Sequence, residues 1–400
     1  MKLSFETIRF AQKPSGVYGL LLRYFKFFIP AEDLERVGAW RVEDGALVFD
    51  AHEKKRTLAM GLLAQALRER LVCTVTDNPA VYVDELSGVP LLGALEFGII
   101  DRGTNLIEVR PMSGCNLQCT YCSVAEGPGG PKQREFVIQK EYFLEEFAKV
   151  AAVKTKPMEV FIETQGEPTL YWELPELIAG LRERFDVKKV TMVTNGTLLT
   201  QERLDAYVDA GLDQINWSIN ALDPELAEKI AGARYDVNRV KDAIVRASQK
   251  LDVLMCPVIM RGVNEQEMES FVEFAQTFRD EEPLVGFQNF LYYKGGRNPV
   301  KEVGWEGFNA RLEELEKKYS TRLKLDAEDF SVEYDETLDK PFKKKEYVEV
   351  ERLFAGRLGN ETFCKASGRV VKVLGRVPDK ERFRVQIIRD KHNIFLAKVA

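Results

Sequence analysis

The chain has 400 residues, 45% of them hydrophobic and 30% charged, with a net charge of −6. That balance excludes a disordered polymer and a polycation built for nucleic acid along its whole length, and the length suggests two or three domains. Six cysteines, three of them within eight residues, argue for a reducing compartment and against a secreted disulfide framework. No signal peptide is visible in Met1–Glu6, and the apolar run from Val17 to Pro30 is interrupted by Arg23 and Lys26. The expected location is the cytoplasm, with no membrane contact.

Residues 1–100 read as a small α+β domain. Gly16–Phe28, rich in Leu, Tyr and Phe, is expected to be a helix, and the acid-led Ala31–Gly38 a second, short one. Ala46–Phe49 reads as a strand and Glu53–Arg70 as an amphipathic helix with Leu58, Leu62 and Ala66 on its apolar face. Leu71–Thr76 and Ala80–Val83 read as strands about an Asp77-Asn78-Pro79 turn. Asp50-Ala51-His52 is similar to the start of the D-x-H-x-x-G cobalamin motif, but Lys55 stands at the glycine position. No cobalamin is expected, and His52 reads as a surface residue at a helix start.

From Asp101 to Leu291 strand-like and helix-like stretches alternate, the pattern of parallel βα units in an α/β fold. The candidate strands are Leu106–Arg110, Met158–Glu163, Lys189–Thr194, Gln214–Ile219, Val253–Ile259 and Leu284–Phe290. Between them the candidate helices are Ile138–Val150, Leu174–Phe185, Gln201–Ala210, Val237–Lys250 and Gln266–Arg279. After the first strand comes Cys115-Asn116-Leu117-Gln118-Cys119-Thr120-Tyr121-Cys122, a C-x₃-C-x₂-C spacing too tight for disulfides and suited to a soft metal. A structural zinc site wants four closed positions, and no fourth ligand is near in sequence; zinc completed by a distant ligand remains an alternative. A cubane of four irons held by three cysteines leaves one iron open for a small ligand.

The motif CNLQCTYC, with an aromatic before its third cysteine, resembles the signature of the radical S-adenosylmethionine (radical SAM) enzymes. The resemblance implies one 4Fe-4S cluster on Cys115, Cys119 and Cys122, whose open iron chelates the amino and carboxylate groups of S-adenosylmethionine. It further implies reductive cleavage to methionine and a 5′-deoxyadenosyl radical, hydrogen abstraction from substrate, and an electron donor such as a ferredoxin or flavodoxin. The implied fold is a partial (β/α)6 TIM-like barrel with its chemistry at the C-terminal strand ends. Here that barrel, with the following helix Phe308–Tyr319, would occupy residues 101–325.

The stretch Glu163-Thr164-Gln165-Gly166-Glu167-Pro168-Thr169 is similar to the family's G-G-E-P motif, with Gln165 in place of the first glycine. The resemblance implies that Gln165, Gly166, Glu167 and Pro168 hold the methionine end of the cofactor, with the Glu167 carboxylate facing its ammonium. Tyr121 is expected near the adenine. Thr194 and Asn195 after the third strand, and Ser218 and Asn220 after the fourth, resemble ligands for ribose and carboxylate. Val258 to Glu265 is similar to a G-x-I-x-G-x-x-E stretch that packs on adenine, which brings in Met260 and Arg261. Gln288 and Asn289, with Lys294 and Arg297 in the basic loop Lys294–Pro299, are candidate substrate contacts. Cys73, Cys256 and Cys364 read as buried free thiols. Cys364 is also a candidate accessory thiol, since some family methylases use a C-terminal cysteine.

Residues 326–340 read as an acidic linker or solvated strap, with seven acids and no base from Asp326 to Asp339. Residues 341–400 then hold 15 Lys and Arg against 7 Asp and Glu, a balance of +8 where the first 340 residues carry −14. Gly368–Leu374, Arg382–Ile388 and Ile394–Val399 read as strands of a small β-barrel of OB or TRAM type. It loosely resembles the TRAM domain appended to some tRNA-modifying radical SAM enzymes. Arg369, Lys372 and Arg376 are the expected phosphate contacts, and Phe363, Phe383 and Phe395 either stacking faces or core. Because the cofactor ligands lie in the larger barrel, cleavage of S-adenosylmethionine is expected to survive removal of residues 341–400. The leading expectation is modification of an RNA, above all tRNA. The alternatives are a radical SAM oxidoreductase or methylase acting on a peptide or small molecule, and a non-enzymatic zinc-bound RNA-binding protein.

Overall fold

Val109, Val160, Ile162, Val190, Met192, Ile215 and Trp217 are all buried, the near-continuous burial that a parallel sheet covered by helices requires. The computed structural model, which describes residues 1–278, 284–325 and 331–400, puts them at the centre of a partial barrel. Strands Leu106–Arg110, Met158–Ile162, Val187–Thr194, Gln214–Trp217 and Asp252–Met255 lie parallel in that order, with Gly98–Asp101 antiparallel outside the first. The expected fifth strand is broken at Cys256-Pro257, because proline has no amide hydrogen for a sheet ladder. Its second piece, Val258–Ile259, pairs parallel with Gln288–Asn289, and Met255 bridges Val285, so the sixth strand joins in short contacts.

Helices Lys140–Ala151, Leu174–Arg184, Gln201–Asp209, Val237–Ser248 and Glu267–Gln276 cover the sheet near their expected positions. The expected end of the last one, at Arg279, lies outside the described residues. An additional helix, Pro224–Ala231, follows the fourth strand. It is bounded by an Asp223 cap, Pro224 at its first position and Gly232 in a left-handed turn, the residue types that start and stop a helix.

The N-terminal region departs most from expectation. Gly16–Phe28 is not a helix: Gly16–Leu21 and Phe25–Pro30 are antiparallel strands joined by a turn with Leu22 and Arg23 at φ 48° and 64°. Burial alternates along them, with Val17, Gly19 and Leu21 inward and Tyr18 and Leu20 outward, the period of a strand. Gly19 is needed because the Phe27 ring crosses it; a Cβ there would lie 2.0 Å from the ring. Leu71–Thr76 shrinks to Val72–Cys73, while Ala80–Val83 forms as expected and pairs parallel with Glu135–Ile138, just beyond the cysteine loop. His52 is an exposed helix-start residue whose Nδ1 accepts the Lys54 amide at 3.1 Å.

Tyr347–Ala355, Glu361–Ala366, Arg369–Leu374, Phe395–Val399 and Arg382–Arg389 close a five-stranded barrel in that order, two strands more than the sequence suggested. It has a small core of its own around Phe342, Val350, Val371 and Phe395. Phe363 and Val370 instead join the large core that runs from Leu3 through the larger barrel. Phe354 and Phe363 pack on Phe97 and Phe136, so the two barrels share an aromatic seam. The acidic strap is bonded to the barrel floor where it is described: Glu333 and Asn105 exchange two hydrogen bonds, at 2.8 and 2.9 Å. Among the described residues no helix is long and apolar enough to cross a membrane.

Candidate active site

The cysteine loop leaves the first strand through Ser113–Gly114, which pairs parallel with Gln165–Gly166 at the second strand end. Gly166 has φ +148°, and a Cβ on it would lie 1.9 Å from the Gly114 carbonyl oxygen, so only glycine allows this approach. Two other segments grip the loop. The Gln118 and Thr120 amides donate to the carbonyls of Ala231 and Ile230 at 3.0 and 2.9 Å, at the end of the helix after the fourth strand. Arg297 donates its amide to the Cys122 carbonyl at 2.9 Å, and its Nη1 to the carbonyls of Cys119 and Glu126 at 3.1 and 2.8 Å. Arg297, expected to meet substrate, is therefore a loop clamp.

Cys115, Cys119 and Cys122 are half-buried. The Leu117 amide approaches Cys115 Sγ at 3.4 Å and the Glu126 amide approaches Cys122 Sγ at 3.3 Å, contacts that favour thiolate sulfur. Burial, and then the neighbouring Cys122, push the Cys119 thiol up to about 12. Burial and then Cys119 hold Cys115 well above its ordinary value. Such thiols ionise only against bound positive charge. Among the described residues no three His, Cys, Asp or Glu side chains converge on a single-ion site. Zinc needs its donors within about 2.0–2.3 Å of one point, whereas a cubane takes one thiolate per iron. The donor set fits the cluster and gives the zinc alternative no support.

Glu167 is held in place by the protein. It is 1% exposed, and both oxygens accept hydrogen bonds from the protein. Oε1 accepts from the Thr169 amide and hydroxyl at 3.0 and 2.6 Å and from the Thr194 hydroxyl at 2.6 Å, while Oε2 accepts the Asn195 amide at 2.8 Å. Glu167 and Thr194 thus hold the second and third strand ends together, and Pro168 starts the buried turn between them. Asn195 is committed as well: its Nδ2 donates to Asn116 Oδ1 at 3.0 Å, and Asn116 donates to Thr197 Oγ1 at 2.8 Å. The buried Thr164 hydroxyl beside this motif has no protein partner among the described residues, an orphan that the polar end of a cofactor would satisfy.

Tyr121, Ser218 and Asn220 do come together. The Tyr121 hydroxyl accepts from Asn220 Nδ2 at 2.6 Å and lies 3.4 Å from Ser218 Oγ. The link continues through Asn264, which sequence reasoning passed over. Its Nδ2 donates to the Asn220 and Val258 carbonyls at 2.7 and 2.9 Å, and its Oδ1 accepts the Met260 amide at 2.7 Å. Met260 is buried and Arg261 exposed. A lone asparagine between Val263 and Glu265 carries no periodic signal, so its burial was not legible.

The remaining candidates divide. Gln288 is exposed while Asn289 is buried and donates to the Val303 carbonyl at 2.8 Å, as alternation along a strand dictates. Lys294 and Arg376 are exposed, and Arg369 donates to the Asp339 carbonyl at 3.2 Å. Lys372 is not offered to a phosphate: it pairs with Glu96 and, at 3.3 Å, with Glu361 between the two barrels. Phe363, Phe383 and Phe395 are all core. Cys364 sits in the core of the small barrel, away from the cysteine loop, and burial pushes its thiol up to about 12, as it does that of Cys256. Cys73 is buried in the N-terminal sheet.

Sequence reasoning also missed Glu126, Glu135 and Arg357. Arg357, on the small barrel, is 1% exposed and reaches both carboxylates, one of them four residues beyond Cys122. The cysteine loop is therefore held in part by residues 341–400.

The chain is similar to known proteins over part or most of its length. The family model described as the Radical SAM superfamily matches residues 109–275, from the first strand through most of the last barrel helix. The chain is 29% identical to an uncharacterized protein of Methanocaldococcus jannaschii, over 93% of this chain and 92% of that one. It is 32% identical to the GTP 3′,8-cyclase of Chlorobaculum tepidum over 44% of this chain and 51% of the cyclase, so it spans about half the length of that relative. The structure of Streptococcus suis SuiB bound to S-adenosylmethionine aligns with a TM-score of 0.44 at 14% identity, over 80% of this chain and 72% of that one.

Proposed function

This chain belongs to the radical SAM superfamily of enzymes through residues 109–275, and from that premise we propose that it modifies an RNA, above all tRNA. When bound, the 4Fe-4S cluster with S-adenosylmethionine supplies one-electron cleavage of the sulfonium and a hydrogen-abstracting 5′-deoxyadenosyl radical. Cys115, Cys119 and Cys122 hold the cluster. Thr164 and Gly166 line the place for the methionine end, and Tyr121, with Ser218 and Asn220, flanks the adenine. A ferredoxin or flavodoxin is the proposed electron donor.

The observation that carries the RNA reading is a cationic face on the small barrel. Lys343, Lys344, Lys345, Arg384 and Lys398 are exposed with no ion-pair partner among the described residues, while Arg357 and Lys372 are spent between the barrels. On the same face Tyr347 is 52% exposed beneath the Arg384 guanidinium, 5.1 Å from its ring centre, a surface on which an unpaired base can stack. With Arg376, these residues replace Arg369 and Lys372 as the proposed phosphate contacts.

Free cations meet phosphate through counterion release, so tRNA affinity should fall steeply from about 50 to 200 mM salt. Reversing Lys343, Lys344, Lys345 and Arg384 to Glu should weaken binding at least tenfold and flatten that slope, with the thermal midpoint unchanged. No detectable tRNA binding by the intact protein at about 50 mM salt would overturn the reading. A second reading, action on a small molecule, draws on the similarity of the barrel to GTP 3′,8-cyclase and would then lead.

A further inference from the structure

We infer that Arg357 is a positioning residue for the cysteine loop, which makes the small C-terminal barrel a working part of the active site. A guanidinium has five N–H donors in a fixed fork, and here every one has an acceptor. Nε donates to the Arg134 carbonyl at 2.9 Å, and Nη1 to Glu126 Oε1 and, at 3.4 Å, to Gln165 Oε1. Nη2 donates to Glu126 Oε2 at 2.8 Å and to Glu135 Oε2 at 2.6 Å. The Arg357 carbonyl closes the contact by accepting the Gln133 amide at 2.9 Å.

What those acceptors hold explains the reach of the latch. Glu126 sends its own amide to Cys122 Sγ and gives its carbonyl to Arg297. Glu135 accepts the Ser113 hydroxyl at 2.6 Å and Asn78 Nδ2 at 2.9 Å, so it fixes the residue two places before Cys115. Gln165 stands beside Gly166 at the second strand end. One buried side chain thus fixes the entry to the cysteine loop, its exit and the neighbouring cofactor-facing motif. Taking away the guanidinium leaves two buried carboxylates without a counter-charge, a strongly destabilising change in its own right. Lysine keeps the charge but not the five-donor fork.

Two variants separate positioning from simple support of the fold. Arg357→Lys retains the positive charge; Arg357→Met with Glu126→Gln and Glu135→Gln removes all three charges together. The first readout needs no metal: amide hydrogen exchange across residues 115–130 in the apo protein. We expect it to rise at least tenfold in both variants, with strand Met158–Ile162 unchanged. The second readout is the electron paramagnetic resonance spectrum of the reduced cluster on adding S-adenosylmethionine, together with KM for that cofactor. Here we expect a displaced spectrum and a KM raised about tenfold in Arg357→Lys, at an unfolding midpoint close to that of the parent. Unchanged exchange at 115–130 and an unchanged spectrum in Arg357→Lys would overturn the inference.

Discussion

The Thr194 hydroxyl donates to Glu167 Oε1 at 2.6 Å, so one buried carboxylate joins the loops that follow the second and third barrel strands. Glu167→Ala would strand the Thr169 and Thr194 hydroxyls and two amides in a buried place. We expect a loss of about 2–4 kcal/mol, at a cost of about 1–3 kcal/mol for each group left unsatisfied and partly relieved by entering water. Glu167→Gln should lose less. Chemical denaturation of the apo proteins checks both. Equal stability of Glu167→Ala and the parent would contradict this.

Gly166→Ala tests the approach of the two motif loops. Its Cβ would sit 1.9 Å from the Gly114 carbonyl, in a backbone conformation that alanine avoids. The variant should remain folded in the barrel core yet bind S-adenosylmethionine at least tenfold more weakly by equilibrium dialysis of the reconstituted protein.

The thiols predict an iron count. Reconstituted protein should hold about four irons per chain, as one cubane requires. Cys119→Ala should lose the cluster and all formation of 5′-deoxyadenosine. Cys256→Ala and Cys364→Ala should keep about four irons, since the three ligands lie together in the cysteine loop and neither of these thiols belongs to it; Cys364 sits in the core of the small barrel. About eight irons in the parent, with a second cluster signal, would contradict this.

The barrel and the cysteine loop are legible in the sequence because both rest on local signals: short, near-continuously apolar strands alternating with helices, and three thiols within eight residues. Leu106–Arg110 and Ala80–Val83 form with the ends their sequences suggest. Gly16–Phe28 was misread because its Leu, Tyr and Phe fit a helical window while the strand alternation Val17, Gly19, Leu21 passes through a glycine, which has no hydropathy to report. Arg357 and Lys372 were legible only as two more basic residues in a basic region. Their partners Glu126, Glu135 and Glu96 lie more than 200 residues away, and separation of that kind leaves no periodicity to read. Glu167 stands out as a motif residue, but two of its partners, Thr194 and Asn195, come from a loop nearly 30 residues on and leave no local signal.

The acidic strap gives a pH prediction. Burial raises the Asp335 carboxyl, but hydrogen bonds from the Thr155 hydroxyl and from the Glu336, Thr155 and Lys156 amides outweigh it and hold it at about 2. A carboxyl depressed in the folded state contributes fully above its unfolded value, near 3.9, and loses that contribution as pH falls through about 2. Between about pH 4 and 2 the parent should therefore lose stability faster than Asp335→Asn. Unfolding midpoints across that window check it, and parallel profiles for the two proteins would remove Asp335 from the account.

If this protein abstracts hydrogen from RNA, that hydrogen should be found in the 5′-deoxyadenosine. Deuterated tRNA, taken from cells lacking this protein and grown in deuterated medium, is incubated with reduced enzyme and unlabelled S-adenosylmethionine, and the 5′-deoxyadenosine is weighed by mass spectrometry. The expected product is 5′-deoxyadenosine one mass unit heavier, formed faster with RNA than without it and not by Cys119→Ala. Unlabelled 5′-deoxyadenosine at the same rate with and without RNA, together with label taken up from a deuterated small-molecule extract of the same cells, would contradict it.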